Sequence, residues 1–343
     1  MIPTLEEDIN NIGSSPNSVV DCSIDGHSLR VGVLSNPRSG GNKKGLGGIY
    51  KILAQWPEVL HREAFTLEGM TEALAYFAQN GVELIVINGG DGTAQAVLTF
   101  IDRAEIFPTP PLLALLRAGT TSMLPRDVGI PGSATAGLSQ ALHWAKERDS
   151  SLTLQPRPIL RVQRGNGQPT QCGMFFGAGA ICQGIKAFHS GVNPMGWRGQ
   201  PMPGVTLLKM LLAVLRKNHE TVPPLLTRSR IDEQPEQERL NLIVLISTLN
   251  HLFFGMQPYW GTEEGPLRYT EIAAEPKYLF RVIPSLFRWQ KNRYATPENG
   301  FVSHNIHAVQ LEIEGDFTLD GELYAIGQGP LTISAAGPVL FLC

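Results

Sequence analysis

Cysteine is sparse and never paired along the chain. Cys22, Cys172, Cys182 and Cys343 are the only four in 343 residues, and without a Cys-x-x-Cys spacing they indicate neither a zinc site nor a disulfide framework, which fits a reduced cytosol. Charge of one sign is missing too. Lys and Arg number 28 against 31 Asp and Glu, for a net charge of -3, and no basic stripe stands out to neutralise a phosphate backbone, so a general nucleic-acid binder is not expected. No apolar run approaches the length of a membrane span, and the start, MIPTLEEDINNIG, is acidic where a signal peptide would be basic and then apolar. Two nucleotide signatures are absent as well: neither the Walker A spacing nor Gly-x-Gly-x-x-Gly follows the first strand-like run. These absences lead to an expectation of a cytoplasmic protein, free to touch a membrane surface at its periphery. A chain of this length is expected to form two domains.

What is present begins with Leu84 to Thr93, Leu-Ile-Val-Ile-Asn-Gly-Gly-Asp-Gly-Thr. Four consecutive apolar residues suit a strand buried on both faces. The glycines let backbone N–H groups approach an anion, and the amphipathic run from Thr93 to Ile101 would aim a helix N-terminus at the same point. An Asp-Gly hairpin is the bland alternative, but a hairpin needs an alternating strand after the turn and this chain supplies a helical pattern.

Around that motif the first half alternates strand and helix: strands at 30–35, 61–65, 84–88 and 111–117, helices at 46–55 and 70–79. This order predicts a doubly wound parallel sheet whose ligands bind at the carboxyl ends of the strands. Four strand ends deliver small, hydroxyl or glycine residues to one rim: Asn36, Pro37, Ser39 and Gly40 after the first, Thr66 after the second, Gly89, Gly90, Asp91, Gly92 and Thr93 after the third, Gly119 and Thr120 after the fourth. Each alone is ordinary turn chemistry; together they describe a nucleotide site.

From Ser151 onward short apolar runs, among them 159–163, 240–247, 309–313, 317–319 and 331–334, are separated by turn clusters, which predicts an antiparallel β-sandwich. Two helical stretches interrupt it, Val205 to Arg216 and Tyr278 to Arg293. Each reads as a core-facing helix or as a lipid-facing surface where basic and aromatic residues meet headgroups. Ile231 to Arg239 reads as a solvated loop. His304 and His307 would point to opposite faces of an extended segment and make a poor metal pair. Near the end, Asp320-Gly321 suits a tight turn, and Asp320 with Glu322 offers two carboxylates as base or metal ligand.

The chain resembles the diacylglycerol kinase catalytic-domain family, which includes bacterial soluble lipid kinases and sphingosine kinases. The resemblance rests on Asn-Pro-x-Ser-Gly at 36–40, Gly-Gly-Asp-Gly-Thr at 89–93, Gly119-Thr120 and Leu-Asp-Gly-Glu at 319–322, in the family's order. It implies an N-terminal extension over 1–29, a nucleotide-binding domain over 30–150 like that of 6-phosphofructokinase and NAD kinase, and a β-sandwich lipid-substrate domain over 151–343. ATP and magnesium would lie in the cleft between the two. Carried over, Asn36, Ser39 and Gly40 would line the phosphates, Thr66 and Thr120 would contact the nucleotide, and Gly89 to Thr93 would wrap the triphosphate. Asp91 would hold magnesium or orient the acceptor hydroxyl, with Asp320, Glu322 or Asp91 as the base.

The implied reaction is in-line transfer of the γ-phosphate to a hydroxyl of a diacylglycerol-like or sphingoid lipid, with catalysis by positioning and charge compensation. Two other readings stand beside it. One is a soluble-metabolite kinase of the NAD-kinase type, and the other is a catalytically silent sensor of lipid or nucleotide. The implied partners are the lipid, a transient membrane surface and, as an open expectation, a second copy in a homodimer.

Overall fold

The computed structural model describes residues 28–104, 106–119, 122–165, 167–189, 223–252, 255–287 and 292–343. Tertiary contacts divide the chain into two units, Met1–Ile159 with Ala336–Cys343, and Leu160–Ala335. The chain leaves the first unit near residue 159 and its last eight residues return to it, an organisation that a single cut at 151 does not contain.

The first unit is a doubly wound α/β sheet. Strands β1 (Val31–Ser35), β2 (Leu60–Glu63), β3 (Leu84–Gly89) and β4 (Leu112–Arg117) pair in parallel in the order β2-β1-β3-β4. Every residue of β1 and β3 is buried, as a strand covered on both faces demands. Helices α1 (Gly47–Leu53), α2 (Leu67–Gln79), α3 (Asp91–Ala104), α4 (Met123–Val128) and α5 (Ala134–Glu147) supply the cover. One core joins Val31, Val33, Leu84 and Val86 to Leu138, Ala141 and Trp144 of α5 and Ile49 of α1. At Gly32 a side chain would meet the buried ring of Phe77 on α2 at 3.0 Å, so any larger residue there requires that ring to shift.

The second unit is antiparallel throughout. Its strands are β6 (Gln171–Gly173), β7 (Phe175–Gly179), β8 (Leu225–Ile231), β9 (Gln237–Ser247), β10 (Leu267–Ala273), β11 (Phe301–Ile306), β12 (Ala308–Ile313), β13 (Asp316–Leu319) and β14 (Glu322–Ala325), after β5 (Leu154–Arg164) and before β15 (Leu331–Leu342). They run in the order β14-β13-β7-β9-β8-β12-β15, with β10 and β11 branching from β9 and β6 from β5. Helix α6 (Ala180–His189) follows β7 directly. The interior joins the alternate inward residues of these strands, among them Phe176, Val244, Ile246, Tyr269, Leu311 and Phe317. The end of β15 belongs to the first unit, where Phe341 and Leu342 pair in parallel with Leu113 and Ala114 of β4.

Two expectations about this half change. The helix expected over Tyr278 to Arg293 is only a turn, α7 (Leu279–Val282), followed by a 3-10 turn over Ile283–Phe287. Pro284 has no N–H to give and clashes with a preceding carbonyl, so an α-helix cannot run through it. The loop expected from Ile231 to Arg239 is shorter, because its ends belong to β8 and β9. The stretch Val205 to Arg216 lies outside the described residues.

His304 is paired with a carboxylate. Its Nδ1 lies 2.6 Å from Glu263 Oε1, while the Asn305 N–H donates to Glu263 Oε2 at 3.1 Å. Burial raises the Glu263 pKa, but the bond to His304 and the backbone N–H groups of Glu263 and Asn305 outweigh it and hold the carboxyl down at about 2. With the folded value below the ordinary 4.5, the stabilisation is complete above about pH 4.5 and is lost as the pH falls toward 2. The effect is modest because both side chains are nearly half exposed. Glu263→Gln is expected to flatten the melting temperature against pH in that window, and an unchanged acid slope would contradict the assignment.

Candidate nucleotide site

The first unit carries a site where its sheet changes winding direction. From β1 the chain passes through α1 to β2 on one side, while β3 lies on the other, so the loops leaving the carboxyl ends of β1 and β3 diverge and open a crevice. These are the loops 36–42 and 89–93. They are tied together: Asn36 Nδ2 donates to Thr93 Oγ1 at 2.9 Å, and the Gly90 N–H donates to Ser39 Oγ at 2.9 Å. The end of β4 joins them through the Gly41 N–H, which donates to the Ala118 carbonyl at 2.8 Å.

Glycine is what allows three loops to meet. A Cβ on Gly119 would stand 2.9 Å from the Gly90 Cα, and one on Gly41 would stand 2.8 Å from the Ala118 oxygen. On Gly89 it would strike Thr93 at 2.6 Å. Asn36, Pro37, Gly40, Gly90, Gly92 and Gly119 are half-buried on the rim, whereas Ser39, Asp91 and Thr93 lie buried beneath it. With α3 beginning at Asp91, the positive end of its dipole lies at this rim.

Asp91 is employed between two helices. It opens α3, and its Oδ2 and Oδ1 accept the Met123 and Leu124 N–H groups of α4, each at 3.0 Å. The carboxylate thus meets the positive ends of two helix dipoles and anchors the corner after β4, where Ser122 Oγ donates to the Gly119 carbonyl at 2.9 Å. The described residues hold no cluster of three or more His, Cys, Asp or Glu that could grip a metal. Phosphate oxygens fit this rim of glycines and N–H groups; a magnesium ion fits as a companion of those phosphates, since it keeps several waters and needs few protein ligands.

Thr66 caps α2, accepting the Gly69 N–H on Oγ1 at 3.1 Å, in the loop after the edge strand β2. Thr120 lies outside the described residues. Sequence reasoning missed Asn42, whose buried amide donates to the carbonyls of Asn36 at 2.8 Å and Asn88 at 3.1 Å. It also missed a buried chain in which Asn88 Nδ2 donates to Ser35 Oγ at 3.1 Å and Ser35 Oγ lies 3.0 Å from His61 Nε2. Burial lowers the pKa of His61, which favours the neutral ring. The one signal for these residues was the strand-end position of Asn88. Arg38, one residue before Ser39, stacks its guanidinium 3.8 Å over Phe65.

The Asp320 turn belongs to the second unit. Asp320 and Gly321, at φ of 51° and 93°, make the two-residue reversal between β13 and β14 that pairs Leu319 with Glu322. Asp320 is buried, and its carboxylate accepts the N–H groups of Met174 at 3.1 Å and Phe175 at 2.9 Å. Ser247 Oγ donates to the Met174 carbonyl at 2.8 Å, so side chains replace the sheet ladder where β6 passes into β7. Gly173 makes room for this, since a Cβ there would lie 2.4 Å from Asp320 Oδ2. Glu322 is exposed.

Residues 30–152 match the family model described as the diacylglycerol kinase catalytic domain. No match was found among curated proteins. Among solved structures, a proposed diacylglycerol kinase from Bacillus anthracis str. Sterne is 18% identical with a TM-score of 0.62, covering 90% of this chain and 94% of its own. A diacylglycerol kinase from the same source is 17% identical with a TM-score of 0.58, covering 91% and 96%. At such identities these structures speak for the fold, a doubly wound unit followed by an antiparallel one. The match over 30–152 and these folds support a kinase-type domain in the first unit.

Proposed function

We propose that this chain is an ATP-dependent lipid kinase that transfers the γ-phosphate to a hydroxyl of a lipid acceptor. The observation that carries the reading is the interlocking of the loops after β1 and β3 at the winding change of a segment that matches the diacylglycerol kinase catalytic domain. When bound, ATP with magnesium supplies the phosphoryl group and part of the charge compensation. Asn36, Ser39 and Gly40 and the first turn of α3 hold the phosphates, with Thr66 and Gly119 further along the rim; Thr120, next in sequence after Gly119, is assigned a nucleotide contact from the motif alone. Asp91 acts as a positioning residue: it keeps α4 and the Gly119 corner against Gly90, and the metal is held chiefly through the phosphates. Transfer then proceeds by alignment and by backbone N–H groups that offset charge on the phosphate oxygens.

The proton of the acceptor hydroxyl goes to Glu322. Asp91 and Asp320 each already accept two backbone N–H groups and are engaged in holding the chain around them. Glu322 is the remaining carboxylate of the three and stands exposed.

The test uses the purified chain with radiolabelled ATP, magnesium and a total lipid extract in mixed micelles, followed by partition into organic solvent. Organic-soluble label that falls with Glu322→Gln is the expected result. Label confined to a water-soluble product would overturn the lipid acceptor in favour of a metabolite kinase. ATP binding without any turnover would leave a sensor.

A further inference from the structure

The second unit turns an aromatic and cationic edge to solvent. In the short stretch through α7 and the 3-10 turn, Val282 is buried and Leu279, Leu286 and Tyr294 pack against Phe301 and Ile272. The outward positions are also apolar: Tyr278 is 51% exposed, Phe280 56% and Phe287 47%. Burial of the inward set cannot explain the outward one, and large exposed rings close together mark a surface with a use.

The charges beside these rings have one sign. From Pro276 to Pro297 the sequence contains no Asp or Glu. Elsewhere in the unit exposed arginines are neutralised, Arg228 by Glu238 and Glu312 and Arg230 by Glu236. Here Arg281 and Arg293 donate instead to the hydroxyl of Tyr294, at 2.7 and 2.8 Å, and their guanidinium carbons each lie 4.9 Å from its ring centre. Among the described residues neither has a carboxylate partner, so both are held in place with their charge uncompensated.

We infer that this edge seats the protein on an anionic lipid bilayer, with Tyr278, Phe280 and Phe287 at the headgroup boundary and Arg281 and Arg293 meeting lipid phosphates. Exposed rings and cations in one short stretch are the chemistry of a membrane interface, where the apolar and electrostatic contributions add. The inference rests on the lipid-acceptor reading for its meaning, because an insoluble substrate has to be reached in its own phase. Its test needs no turnover.

The experiment is cosedimentation of the purified chain with vesicles of phosphatidylcholine, alone or with about a third phosphatidylglycerol. The wild type is expected to bind the anionic vesicles and to lose most of that binding in 1 M salt, where the screening length falls to about 3 Å. Phe280→Ser with Phe287→Ser, both exposed and therefore compatible with folding, is expected to lower partitioning at least about tenfold while the circular dichroism and melting temperature stay as in the wild type. Wild-type protein that ignores anionic vesicles overturns the inference, and so does a double variant that binds them as well as wild type. Binding without lipid phosphorylation would retain this surface and reject the proposed reaction, so the two failures are distinguishable.

Discussion

Asp91→Ala is expected to lower turnover at least about a hundredfold and to weaken nucleotide binding even without metal. Removing the carboxylate leaves the Met123 and Leu124 N–H groups buried without acceptors, at about 1–3 kcal/mol each. Helix α4 then no longer has a fixed start, and the Ser122 to Gly119 corner that abuts Gly90 loses its anchor. Asp91→Asn is the informative companion, since its amide supplies one acceptor but presents an NH2 to the second donor. The measurement is affinity for ATP with and without magnesium, beside turnover and thermal unfolding. A positioning role predicts lost affinity in both conditions. A direct metal ligand would predict loss only with magnesium, with rates partly restored at high metal concentration, and that outcome would replace the positioning assignment.

The second large effect separates two carboxylates only two residues apart. Asp320→Ala is expected to destabilise the fold by about 2–6 kcal/mol, from two buried donors left unpaired at about 1–3 kcal/mol each. Glu322→Gln is expected to leave the melting temperature unchanged and to reduce turnover at least about a hundredfold, the contribution of a positioned proton acceptor. Stability is the readout for the first and turnover at constant nucleotide affinity for the second. If Glu322→Gln is fully active, the proton goes elsewhere; if Asp320→Ala melts with the wild type, the carboxylate is not the clamp its hydrogen bonds describe.

Much of the first unit was legible because its signals are local. The apolar runs of β1 and β3 are buried on both faces and could hardly be anything but central strands, and the glycines after β3 announce a close backbone approach. The Asp320-Gly321 reversal was equally visible as a turn. The employment of Asp91 and Asp320 was not, because the N–H groups they accept lie 32 and 146 positions away along the chain. Asn42 and His61 look like ordinary loop and strand residues until Asn88 and Ser35 are brought beside them.

Residue order and type were sufficient for the alternation of strand and helix, the parallel sheet that follows from it, and the collection of glycines and hydroxyls at the strand ends, since these depend on periodicity and on contacts a few residues apart. Tertiary structure alone decided which of those side chains stay on the rim and which are consumed in holding the loops. It also decided that the last residues of β15 return to β4, and that Tyr278, Phe280 and Phe287 stay on the surface. The division has one physical cause: a buried polar group must find a partner wherever the fold places one, and distance along the chain carries no trace of that choice.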